Sequence, residues 1–96
     1  MTTRRKYQES EPQLTEVVQE ETGTERFLVL HNDDVHTFDY VIETLIDVCE
    51  MDAVQAEQCT FLVHYKGKCD VKKGNFSFLR PYQLKLINKE LEATIE

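Results

Sequence analysis

Apolar residues are sparse through residue 24 and then arrive in blocks whose period changes along the chain. Arg26-Phe27-Leu28-Val29-Leu30-His31 is a β-rich run closed by the turn formers Asn32-Asp33-Asp34, which predicts a buried strand. Thr37 is placed to cap a helix that carries Asp39 in its first turn, where a carboxylate complements the helix dipole. Phe38, Val41, Ile42, Leu45, Val48 and Cys49 then recur at helical spacing, so one face of that helix is buried. Asp52 opens a second helix, with Gln55 three residues later as a capping-box partner. This helix is predicted from Ala53 to Tyr65 and is stopped by Lys66-Gly67. Beyond it the pattern predicts a short strand over Lys68 to Lys73 and a turn at Gly74-Asn75. A helix over Leu79 to Lys89, interrupted early by Pro81, and an alternating edge strand over Leu91 to Ile95 complete the chain. The order β-α-α-β-α-β with short connections predicts an α+β fold, a three-stranded antiparallel sheet packed on helices.

The stretch 1–24 changes the domain picture. It is rich in Glu, Gln and Thr and holds few large apolar side chains. Such a segment buries too little surface to offset its ordering entropy, so it reads as a disordered tail, with a single folded domain over residues 25–96. No run approaches the ~18 apolar residues of a membrane span, and no apolar block follows Met1–Lys6 as in a signal peptide. A cytoplasmic protein with no membrane partner is expected. Cys49, Cys59 and Cys69 are odd in number and form no C-x-x-C pair, which points to reduced, packed thiols.

A net charge of −7 argues against nucleic acid as a partner, because phosphate binding needs a basic face. The charge is also divided. Nine acids and one base, Arg26, lie between Glu25 and Glu57, whereas Lys66 to Lys89 holds seven bases and one acid, Asp70. An acidic face beside a basic stripe suits a protein that offers one side to a cationic ligand and the other to a partner.

The residues with chemistry to offer are the Asn32-Asp33-Asp34 turn and Val63-His64 near the end of the second helix. Asn32, Asp34 and neutral His64 supply hydrogen-bond acceptors. An α-ammonium group carries three N–H donors and suits such a tripod, with apolar neighbours to receive the accompanying side chain. Three other uses of these residues stand beside this one. They could simply end a strand and start a helix. His31, His36 and His64 could form a small metal-binding module with the Asp pair, although no ligand spacing is recognisable. His64 could serve an enzyme as base, with Asp33 or Asp34 orienting it, but no nucleophile or phosphate loop accompanies them.

Val29-Leu30-His31-Asn32-Asp33-Asp34, then Phe38-Asp39-Tyr40-Val41-Ile42, then Leu62-Val63-His64-Tyr65-Lys66-Gly67-Lys68 together resemble the ClpS family of N-degron adaptors. The family pattern is a strand, NDD, a helix with FV or FVI, and VH..G at the end of the next helix. The resemblance is firm over residues 26 to 70 and keeps its register from Asn32 to His64. It implies a non-catalytic adaptor without cofactors, binding N-degron protein substrates and a AAA+ Clp unfoldase of the ClpA or ClpC type. By the same resemblance, Asn32 and His64 would hydrogen-bond the α-amino group, with Asp33 and Asp34 beside them supplying negative charge. Val41 and Val63 would line the side-chain pocket with His36, Phe38 and Thr60, and Leu91 would close it. An alternative is a ClpS-like interaction domain that no longer binds N-degrons.

Three departures from the family stand out. His36-Thr37-Phe38 replaces a Thr-Pro-Met run, so a ring sits where a flexible thioether gates the pocket. Thr60 replaces an apolar residue. Leu79-Arg80-Pro81-Tyr82-Gln83-Leu84-Lys85 stands where the family's EVAE..K helix docks onto the unfoldase, which implies a diverged docking surface.

Overall fold

The computed structural model describes residues 24–96; the expected tail lies, apart from Thr24, outside the described residues. Strand β1 (Arg26–His31) is followed by helices α1 (Phe38–Cys49) and α2 (Ala53–Lys66), strand β2 (Lys68–Gly74), helix α3 (Phe76–Asn88) and strand β3 (Glu92–Ile95). The strands form one antiparallel sheet in the order β2-β1-β3. The predicted α+β order and the terminal edge strand are both present.

β1 is the middle strand, and Leu28, Val29 and Leu30 are accordingly buried. Its pairing with β2 shifts between Leu28, opposite Lys72, and Val29, opposite Asp70. Val71 is therefore the extra residue of a bulge. It is buried and joins Leu28, Leu30 and Ala93 in the core beneath the helices.

The helices are bounded by local chemistry. Thr37 accepts from Tyr40 N at 3.1 Å and Asp52 accepts from Gln55 N at 2.7 Å, each satisfying a first-turn N–H. Leu45, Val48 and Cys49 of α1 and Ala56, Cys59 and Val63 of α2 face the core, whereas Phe38 and Val41 at the start of α1 are only partly buried. α2 ends at Gly67 in the left-handed region, φ 95°, with its N–H bonded to Val63 O at 3.0 Å.

α3 corrects one expectation. It begins at Phe76, not Leu79, and Pro81 lies within it. Asn75, read as half of a turn, is its N-cap and accepts from Phe78 N at 2.9 Å. That cap and the complete burial of Leu79 hold the first turns together although Pro81 has no N–H to donate. Past α3 the chain turns through Glu90, and Leu91 N bonds Leu86 O at 3.1 Å, which seats Leu91 in the core. Gln83 Nε2 donates to Ala93 O at 3.0 Å and fastens α3 to β3. No helix among the described residues is long and apolar enough to cross a membrane.

Candidate functional site

One backbone hydrogen bond fixes the geometry of the site. The chain leaves β1 at Asn32, whose N–H donates to Gly67 O at 2.9 Å. Gly67 ends α2, so this bond brings the Asn32-Asp33-Asp34 turn against the helix end that carries His64. Between them lies a cleft of about 290 Å³.

All ten residues singled out from the sequence line it. Thr60, Val63 and Leu91 are buried and make its floor, and partly buried Val41 and Phe38 form the α1 wall. Asn32, Asp34 and His64 are exposed at its mouth, with Asp33 and His36 on the connecting loop. Leu30, His31 and Thr37 also line the cleft, beyond the ten that the sequence points to. Leu30 and His31 close the β1 run immediately before Asn32, and that adjacency is the signal that could have found them.

The polar groups divide into two sets. Asp33 Oδ1 accepts from Val35 N at 2.9 Å and His36 N at 3.0 Å, and both carboxylate oxygens lie 3.1 Å from His36 Nδ1. Burial works against the charged form of Asp33. The two backbone N–H groups, the His36 ring bond and the charge of that ring outweigh it and hold the carboxyl below its ordinary pKa. Asp33 thus commits its acceptors to the loop. His36 in turn stacks on Tyr40, with ring centroids 4.8 Å apart. His31 is held likewise: Thr94 donates its hydroxyl to Glu96 Oε2 at 2.9 Å and so accepts from His31 Nε2 at 2.8 Å.

By contrast, no hydrogen bond engages the side chains of Asn32, Asp34 or His64 among the described residues. His64 is positioned by packing, edge-on to Phe38 at 5.1 Å and to Tyr65 at 4.8 Å. Thr60 donates to Ala56 O at 2.8 Å, so its hydroxyl proton is satisfied within α2. Three available acceptors at the mouth of a mostly apolar cleft suit a ligand that is cationic at one end and apolar beside it.

Among the described residues no group of three His, Cys, Asp or Glu could hold a metal ion. The three thiols lie outside the cleft. Burial pushes Cys49 up to about 11 and raises Cys59 and Cys69 as well, so all three stay protonated and weakly nucleophilic at neutral pH.

Comparison with known proteins bears on the family and the fold. The family model described as ATP-dependent Clp protease adaptor protein ClpS matches residues 23–94. The chain belongs to the ClpS family. A relative from Vibrio atlanticus (strain LGP32), the ATP-dependent Clp protease adapter protein ClpS, is 34% identical over 67 residues. That match covers 68% of this chain and 63% of the relative, so the chain spans a little under two thirds of the length of the curated relative. The solved structure of Agrobacterium tumefaciens ClpS2 bound to L-phenylalaninamide superposes with a TM-score of 0.69 at 20% identity, covering 75% of this chain and 94% of that one. At that identity the likeness is one of fold. ClpS is an adaptor family of the Clp protease, and this chain carries the fold that goes with it.

Proposed function

We propose that this ClpS-family chain binds the free α-amino group and first side chain of N-degron substrates and passes them to a AAA+ Clp unfoldase of the ClpA or ClpC type in the cytoplasm. The observation that carries the reading is the trio Asn32, Asp34 and His64, unengaged at the mouth of a cleft floored by Val63, Thr60 and Leu91. Asn32 and His64 accept from the α-ammonium, Asp34 supplies the opposing charge, and Asp33 holds the loop that presents them. The first side chain enters between Val41 and Val63. The phenylalaninamide named with the Agrobacterium structure has the matching parts, an α-amino group beside an apolar side chain. No bond is broken in this scheme, so the protein acts as a carrier.

The test is fluorescence polarisation with peptides differing only in their first residue, each with a free or an acetylated N-terminus. Free peptides are expected to bind according to their first residue. Acetylated ones are expected to bind at least about a hundredfold more weakly, because acceptors covered by the peptide lose a charged donor. Asn32→Ala is expected to act like acetylation. Tight binding of acetylated peptides would sink the α-amino assignment. Uniformly weak binding of every peptide would favour a ClpS-like interaction domain that does not take N-degrons.

A further inference from the structure

The cleft continues outward as a ridge of rings. Phe61 and Tyr65 stand one turn apart on α2, on one face. Their rings are nearly parallel, 7° at 5.9 Å, and they are 43% and 72% exposed. Phe61 meets Phe38 edge-on at 5.1 Å, and Tyr65 meets His64 edge-on at 4.8 Å. Phe38 and His64 touch each other at 5.1 Å and line the cleft. The four rings are therefore one array, half of it cleft wall and half of it open surface.

We propose that Phe61 and Tyr65 form a second subsite, which takes a large apolar side chain from the two residues following the first residue of a bound chain. This rests on the cleft reading above, because the held α-amino group sets the register. A chain whose first residue is seated leaves through the mouth beside His64. An extended chain advances ~3.3 Å per residue, so the next two residues fall roughly 3–7 Å further on. The rings of Phe38 and His64 are separated from the ridge by the same interval, 5.1 and 4.8 Å. Exposed ring faces and edges receive aromatic and aliphatic groups by offset or edge contact, and the Tyr65 hydroxyl is the one hydrogen-bond donor the two side chains offer. Continuity with the cleft singles out the cargo chain as the occupant.

The experiment uses the full chain and peptides that begin with Leu and carry Gly-Gly, Phe-Gly, Gly-Phe or Asp-Gly at positions two and three. Phe at one or both positions is expected to tighten binding roughly fivefold to tenfold over Gly-Gly, the scale of one aromatic contact. In the double variant Phe61→Ala with Tyr65→Ala, that gain is expected to fall below about twofold, read as the ratio to the Gly-Gly peptide in the same variant, so that any shift of His64 or Phe38 cancels. Tyr65→Phe should keep the gain. Should the double variant unfold, Tyr65→Ala alone carries the comparison, because that side chain is largely exposed. A flat response to positions two and three, with the first residue still discriminated, overturns the ridge and leaves the cleft standing. Loss of first-residue discrimination as well overturns both. A double variant that keeps the peptide preference but loses contact with the unfoldase would assign the ridge to that partner and overturn the proposal.

Discussion

Substitution of Asp33 separates two tasks that a carboxylate can perform in this loop. In the structure it accepts from two backbone N–H groups and the His36 ring, all within 3.1 Å, and reaches no other described side chain. Asp33→Ala removes all three bonds. A net contribution of about 1 kcal/mol for each, kept at the low end because the side chain is partly exposed, gives a loss of ~2–3 kcal/mol. For a domain of this size that lowers Tm by roughly 8–24 °C. Asp33→Asn keeps an oxygen for the two backbone donors and loses only the charge, so a fall of about 1 kcal/mol is expected. The pH dependence follows from the lowered folded pKa. The stabilisation is fully present above about pH 4, the ordinary value, and is lost as pH falls through the lower folded value. The difference between wild type and Asp33→Asn should therefore close in acid. Thermal unfolding at pH 7 and pH 3, with peptide titrations at pH 7, reads both effects. If Asp33→Asn abolishes peptide binding as fully as Asn32→Ala while melting like the wild type, the carboxylate acts on the ligand and the loop-holding role is wrong.

Three further outcomes can be checked with the same assays. Phe38 stands beside His64 in the cleft, so Leu-first peptides should bind more tightly than Trp-first ones, and Phe38→Met should improve Trp-first binding about threefold to tenfold; a wild type that prefers Trp refutes the obstruction. His64 stands at the mouth with no side-chain hydrogen bond of its own, so His64→Ala should weaken binding of free-N-terminus peptides at least about tenfold, and His64→Gln, which keeps an acceptor, should lose less. Unchanged affinity in His64→Ala would remove His64 from the site. Gly67 ends α2 at φ 95°, with open space where a methyl group would stand but a backbone conformation that disfavours one. Gly67→Ala should therefore cost about 1–2 kcal/mol, read as a lower Tm, and weaken peptide binding through Asn32; an unchanged Tm would refute the strain.

How far the chain discloses its own fold depends on how local each instruction is. The β1 run, the i, i+4 face of α1 and the caps at Thr37 and Asp52 are written in neighbouring residues, and each appears where the pattern puts it. The start of α3 escapes the pattern because Pro81 is a local signal against helix; the Asn75 cap that opposes it is local too, but the burial of Leu79 that completes the override is a tertiary fact. The site divides along the same line. Its ten expected residues meet in one cleft, and the motif register from Asn32 to His64 suffices to name most of them. Their division of labour is not legible there. Asp33 and Asp34 are adjacent and chemically identical, and what distinguishes them is a pair of backbone N–H groups, at Val35 and His36, that any residue but proline would supply. His31 enters the cleft with its ring held by Thr94, 63 residues away, a partner that no short motif spans. The bond from Asn32 N to Gly67 O is likewise main chain to main chain. Side chains name the candidate acceptors, and the backbone decides which of them remain available to a ligand. Asn32, Asp34 and His64 are the acceptors that the fold leaves unengaged, and the roles proposed for them follow from that.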